Sequence, residues 1–255
     1  MTAVLQIYSL WLRDVRHFFR QRSRVIGAIG QPFVFWIFLN AGFSGSFSGG
    51  RQAMTYGTFL YPGVIVLIAL FSAIFSTISI IEDRRSGFMQ GVLASPVSMG
   101  AFVLSKLLAG ATLALAQTAL FMLLLPFAGI HVTAAGLLLS GAALLFLGMT
   151  LTNVGVIIAW KMKSTQGFHA IMNLLLVPMW MLSGSFFPPE GAAGWLQVII
   201  SVNPLYYLTT MFKGAFLFGT PYAASIAAPL AAATALSLVF AALLTTTAIR
   251  TVKSR

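Results

Sequence analysis

The chain has 255 residues, of which 59% are hydrophobic and 7% charged. A soluble domain carries about 25% charged residues and under 50% apolar ones, so composition excludes a soluble globular domain and a disordered chain alike. The formal net charge is +11, but the basic residues collect at the ends of apolar runs, as in cytoplasmic membrane loops, and do not form a nucleic-acid-binding face.

A spanning helix takes about 20 residues, which leaves room for roughly six to eight spans and no soluble catalytic domain. There is no cysteine, which excludes a disulfide framework, a thiolate nucleophile and a cysteine metal site. The first 24 residues become more charged along their length and lack a small-residue cleavage site, so they do not read as a secretory signal.

Residues 1–24 predict an amphipathic helix. Val4, Tyr8, Trp11, Val15 and Phe18 recur at helical spacing on one face, and Leu5, Leu12 and Phe19 widen it. Arg13, Asp14, Arg16, His17 and Arg20 fall opposite, followed by Arg22 and Arg24. This pattern describes a helix lying in the membrane interface; an ordinary helix packed on the protein's own surface is the alternative.

The first span is expected at 25–43, kinked at Pro32, followed by a Gly/Ser loop at 44–50 and Arg51. The second is expected at 58–81 and runs into Glu82-Asp83-Arg84-Arg85. Residues 86–100 are only mildly apolar, with Gly87, Gly91, Pro96 and Gly100 as punctuation. The third span is expected at 102–127, with Lys106 near its start, where a lysine can snorkel to the headgroups. His131 falls in a short turn. The fourth and fifth spans are expected at 134–160, ending in Lys161 and Lys163, and at 167–187.

Residues 188–221 break twice, at Pro188-Pro189-Glu190 and at Asn203-Pro204. The two apolar pieces are too short to span, so they predict a re-entrant or interfacial hairpin. The last span is expected at 223–249, before Arg250, Lys253 and Arg255.

The fold class is therefore an all-α integral membrane protein. An interfacial helix (1–24) precedes a transmembrane region of six spans (25–255), with a coupling loop at 82–100 and an extracellular hairpin at 188–221. Six spans put both termini on one side. That side collects every basic residue except Arg51 and Lys213, so both termini are expected in the cytoplasm.

Catalytic signatures are scarce. Asp14, Glu82, Asp83 and Glu190 all fall outside the expected spans, which argues against ion-coupled carriage and voltage sensing. No G-x-x-x-x-G-K-[ST] loop is present, so the chain carries no phosphate-loop ATPase of its own. His17, His131 and His169 lie in separate segments and suggest no metal site. Gly42-Phe43-Ser44-Gly45 matches the G-x-S-G pattern of intramembrane serine proteases. Ser44 would need a histidine base from another helix. That enzyme is the alternative function, set against the preferred reading of the tract as an external loop.

The informative segment lies between Glu82 and Lys106. Phe88, Met89, Val92 and Leu93 give it an apolar face, and Gly87 and Pro96 bound it. A short amphipathic helix with charges at its root suits docking into a partner's groove. The cluster Glu82 to Arg85, then Gly87, Phe88-Met89, Leu93, Ser95-Pro96 and Lys106, resembles the cytoplasmic loop of ATP-binding-cassette exporter permeases of the ABC type-2 membrane family. Gly91 departs from that pattern, since the family often has a larger residue there. Leu182 to Pro188, Trp195-Leu196 and Asn203-Pro204-Leu205-Tyr206-Tyr207 resemble the family's external hairpin. The N-terminus is similar to its connecting helix. The chain looks closest to the drug- and lipid-type exporters of the family.

The resemblance implies two permease copies, taken here as a homodimer, above two copies of a separate ATPase that binds ATP and Mg. This chain would hold no cofactor and bind no nucleic acid. It implies a multi-pass protein of the bacterial cytoplasmic membrane. Glu82, Asp83, Arg84, Arg85, Gly87, Phe88, Met89, Val92, Leu93 and Pro96 would couple to the ATPase. Trp11, Arg13, Arg16, Phe18 and Arg20 would work in the interfacial helix, against membrane lipid. Phe186, Phe187, Pro188, Trp195, Asn203, Pro204 and Tyr206 would form the external gate. The spans offer few strong hydrogen-bonders, chiefly Asn40, Gln117, Asn153 and Asn173. An amphipathic or lipophilic cargo is therefore expected: a drug, a lipid or a lipid-linked glycan.

Overall fold

The computed structural model describes residues 3–20, 22–43, 45, 55–95, 97–223 and 227–253. Helices follow one another throughout, and there is no strand among the described residues. In chain order they are α1 (Ala3–Arg20), α2 (Arg22–Phe43), α3 (Tyr56–Ser76), α4 (Ile78–Arg85), α5 (Phe88–Ala94), α6 (Met99–Met122) and α7 (Ala134–Lys161). Then come α8 (Thr165–Trp180), which continues into one π-helical turn (Met181–Ser185), a 3-10 turn (Pro189–Gly191), α9 (Gly194–Val202), α10 (Pro204–Phe216) and α11 (Ala227–Lys253).

Five helical stretches are long and apolar enough to cross a membrane: Tyr56–Arg85, Met99–Met122, Ala134–Lys161, Thr165–Ser185 and Leu230–Val252. They fall where the second to sixth spans were expected. In α2 the apolar stretch is shorter, Pro32–Phe43. The third span stops at Met122 instead of 127. Pro126 has no amide hydrogen to continue the helix, and the chain tightens first, with the amides of Leu124 and Leu125 donating to the Phe121 and Met122 carbonyls at 3.0 and 3.1 Å.

The core forms around α3, which is apolar on every face, as a fully enclosed helix must be. Leu60, Tyr61, Val64, Ile65, Ile68 and Leu70 are wholly buried in it. α6 and α7 cross on small residues. A Cβ on Gly148 would meet the Ala111 Cα at 2.8 Å, and α7 meets the α3–α4 junction as closely, where a Cβ on Gly155 would meet the Thr77 Oγ1 at 2.7 Å. Small residues let membrane helices approach closely, which supplies van der Waals contact where no hydrophobic drive separates helix from lipid. At Thr77 the hydroxyl donates back to the Ile74 carbonyl at 2.6 Å, and such back-bonding bends a helix; here α3 gives way to α4.

α1 packs along α6 through Gln6, Asp14 and Phe18. Val4, Leu5, Tyr8 and Phe19 face outward. The helix therefore packs on the protein along one side and leaves an apolar face directed away from it. Asp14 departs from expectation. It lies in the packed face and is 7% exposed.

Candidate functional site

At the basic end of the bundle, α4 turns into α5 through Gly87, whose φ of 78° is left-handed. Glycine adopts this region without the Cβ clash that other residues suffer. α5 then runs for seven residues. The apolar pairs expected to face a partner are divided. Met89 and Val92 are buried in this chain's own core, at 4% and 7% exposure. Phe88, Gln90 and Gly91 face outward. The reason is that a seven-residue helix is not stable alone and is held to the bundle by burying apolar side chains on one side. Pro96 and the side chain of Leu93 lie outside the described residues.

The acid and arginine cluster turns inward. Arg84 donates to the carbonyls of Trp160 (2.7 Å) and Met162 (3.3 Å) and lies over the Trp160 ring. Arg85 Nε donates to the Lys163 carbonyl at 3.1 Å. These contacts satisfy carbonyls that the C-terminus of α7 leaves open. Glu82 is half-buried.

Asp83 belongs to a closed ring of four charges. The Arg13 guanidinium donates to both carboxylate oxygens of Asp83 and lies 3.2 Å from Asp14 Oδ1. Lys106 Nζ lies 2.8 Å from Asp14 Oδ2 and 3.2 Å from Asp83 Oδ2, and donates to Ser79 Oγ at 3.0 Å. Cation and anion alternate around the ring, so it is neutral. α1 supplies Arg13 and Asp14, α4 supplies Asp83, and α6 supplies Lys106. Burial works against the charge on Arg13, and Asp83 and Asp14 outweigh it, holding its pKa above the ordinary value. The guanidinium lies over the Phe88 ring, its Cζ 3.7 Å from the ring centre.

Lys106 therefore does not snorkel. It is 3% exposed, because α1 brings Asp14 against it. Removing one partner from such a buried pair typically costs about 3–5 kcal/mol. Sequence reasoning missed the ring because its members are separated by up to 93 positions along the chain, from Arg13 to Lys106. The one available signal was an acid in a helix that otherwise carried only basic charges.

Elsewhere on α1, Trp11 Nε1 donates to Thr112 Oγ1 at 3.1 Å, and Phe18 is buried. Arg16 and Arg20 are exposed.

At the opposite end, the π-turn closes on Gly184, which is left-handed at φ 72°. Trp180 Nε1 donates to the Gly63 carbonyl at 2.7 Å, and Tyr56 OH donates to the Phe186 carbonyl at 3.1 Å. Asn203 caps α10 by accepting from the Leu205 amide, while its Nδ2 donates to the carbonyls of Met179 (2.7 Å) and Leu182 (2.9 Å). Phe186, Phe187, Pro188, Pro204 and Tyr206 are half-buried around this junction, and Trp195 points outward, 68% exposed.

Lys213, counted from the sequence as an outer-side charge, is buried. Its Nζ donates to the Gly184 carbonyl at 2.7 Å and lies 4.1 Å from the centre of the Phe59 ring.

Between the two ends, Gln117 accepts from Ser72 Oγ at 2.6 Å, and Asn153 donates to Thr245 Oγ1 at 3.0 Å. Both join helices. Asn173 faces outward from α8, and Asn40 is half-buried. Ser44 lies outside the described residues. No group of three or more metal-ligating side chains occurs among the described residues.

A family model described as ABC-2 type transporter matches residues 5–217, which takes in the ring, α5 and the junction at Asn203. The chain is 27% identical over 213 residues to the transport permease ycf38 of Cyanophora paradoxa, covering 81% of this chain and 73% of that one. It is 26% identical to Nodulation protein J of Rhizobium meliloti, over 78% of this chain and 76% of the relative. It is 24% identical to the daunorubicin resistance ABC transporter permease protein DrrB1 of Streptomyces coeruleorubidus, covering 73% and 66%.

Proposed function

This chain belongs to the ABC-2 type transporter family, and on that footing we propose that it is the membrane-spanning permease subunit of an ATP-driven exporter. A separate ATPase subunit, in two copies, carries ATP and Mg. Two copies of this chain form the pathway, each contributing six spans with α2 as the first. Both termini face the cytoplasm, in the cytoplasmic membrane of a bacterium, because every basic residue but Arg51 and Lys213 falls on the side of the termini in this six-span reading.

One observation carries the proposal. α5 is a short helix fixed on its inner side by Met89 and Val92, with Phe88, Gln90 and Gly91 left facing outward. That surface is small, rigidly mounted and next to a charged root, as a docking peg for a partner's groove should be. Nucleotide-driven movement of the peg would bias a two-state change of the bundle. α1, with its outward apolar face, lies in the headgroup layer. The α9–α10 hairpin closes the outer side, held by Asn203.

The cargo is amphipathic or lipophilic: a drug, a lipid or a lipid-linked glycan. Two observations support this. The charges in the ring and at Lys213 are engaged inside the protein, and one relative is named for resistance to daunorubicin.

Gly91 offers the clean test. A Cβ there meets nothing within 4 Å, so Gly91→Trp adds bulk to the outer face of α5 without disturbing the bundle. In lipid nanodiscs, the variant is expected to keep its fold and lose assembly with, or stimulation of, the co-purifying ATPase. Undiminished assembly and hydrolysis would remove α5 as the docking element.

A further inference from the structure

We infer that Arg13 is a positioning residue that ties α1 to the root of α5, so that the two helices move as one body. The inference rests on the proposed docking role of α5 only for its consequence in transport; the tie itself stands on geometry. Arg13 is a single side chain of α1 that reaches two other elements directly. It grips both oxygens of Asp83 on α4, and its Cζ lies over the Phe88 ring at the first residue of α5, 3.7 Å from the ring centre. Asp14 and Asp83 then pass the connection to Lys106 on α6.

The planar, two-point grip of a guanidinium fixes orientation as well as distance, and a guanidinium also stacks on aromatic faces. A lysine ammonium at the same place would keep the charge and lose both. The link to α5 is needed because Gly87, in a left-handed turn, interrupts the helix between Asp83 and Phe88. With Arg13 across that turn, a push on α5 tilts α1 along with the cytoplasmic ends of α4 and α6. Without it, α5 would be joined to the bundle only through the Gly87 turn and the buried side chains of Met89 and Val92, with no direct tie to α1.

The absence of cysteine makes spin labelling clean. One label pair would join Ser9→Cys on α1 with Gln90→Cys on α5, both exposed. A second pair, Gln90→Cys with Gln166→Cys on α8, reports movement of α5 against the rest of the bundle. Distances are read by electron–electron resonance in nanodiscs, with the full chain and its co-purified ATPase.

The expected result is a narrow Ser9–Gln90 distribution in the wild-type background that keeps its mean when ATP is added, while the Gln90–Gln166 distance shifts. Arg13→Lys is expected to broaden the Ser9–Gln90 distribution before any nucleotide is added. Folding and assembly are expected to be retained. An unchanged Ser9–Gln90 distribution in Arg13→Lys overturns the tie. So does a wild-type Ser9–Gln90 distance that shifts with ATP as far as the Gln90–Gln166 distance. If the tie holds in the nucleotide-free samples and Gln90–Gln166 never moves with ATP, the docking role of α5 falls and Arg13 loses its role in transport with it.

Discussion

Lys106 and Asp14 show how far one side chain's surroundings can depart from its neighbours in sequence. An isolated lysine at the start of a span can reach the headgroups. Here α1 covers it, and two carboxylates replace water. Lys106→Met would leave Asp14 and Asp83 sharing only Arg13, with one negative charge uncompensated inside the protein. It is expected to destabilise the purified chain by about 3–5 kcal/mol, read as a lowered midpoint of thermal unfolding in detergent. Arg16→Ala, at an exposed position of the same helix, should shift the midpoint little, by under about 0.5 kcal/mol. Adding Asp14→Asn to Lys106→Met restores neutrality and should recover part of the loss. A double variant no better than the single would mean that the ring is not electrostatically coupled.

Elements in this fold are interrupted where the proposal places function, and the interruptions are chemically specific. Gly87 ends α4 in a left-handed turn; Gly87→Ala has open space for its methyl but the wrong backbone, at a cost of about 1–2 kcal/mol. Because that strain falls on the mounting of α5, the stimulated hydrolysis of the partner ATPase should fall more than stability does. Equal losses would indicate that the turn is only structural. Asn203 ties the end of α8 to the hairpin with two hydrogen bonds and caps α10 with a third. Asn203→Ala strands the Met179 and Leu182 carbonyls, and an unsatisfied buried group costs about 1–3 kcal/mol. Faster limited proteolysis between α8 and α10 would register it; unchanged cleavage would argue that the junction does not depend on Asn203. Breakers were legible at both places because Gly and Pro act through local backbone geometry. The division of α5 into a buried and an outward side was not, because it depends on what lies across from the helix.

At the scale of the whole molecule, the proposed topology makes a simple demand. Single cysteines at Lys163 and at Glu190, introduced into the cysteine-free chain, should react with a membrane-impermeant maleimide from opposite sides. In intact cells Glu190→Cys is expected to label, and Lys163→Cys only after permeabilisation. Labelling of both from outside would break the six-span arrangement. Within the bundle, Gly148→Leu would drive a branched side chain into the Ala111 backbone, where even a Cβ would come within 2.8 Å. Overpacking of this kind costs about 1–3 kcal/mol, and the variant should lose its monodisperse profile in detergent before Gly141→Leu does, since Gly141 faces open space.

The sequence by itself determined the class of protein, the place and order of five membrane-long apolar stretches, the breaks at Gly87 and Asn203-Pro204, and the charge asymmetry of the chain. All of these follow from local quantities: hydropathy over about 20 residues, backbone preferences of Gly and Pro, and charge at the ends of apolar runs. Tertiary structure alone decided that Asp14, Asp83, Arg13 and Lys106 meet, that Met89 and Val92 face inward, and that Lys213 holds the Gly184 carbonyl. Those facts depend on which surfaces of distant helices touch. In a chain with so few charges, any charge taken from water had to be met by a partner or a carbonyl, and only the packing of α1, α4 and α6 could say which.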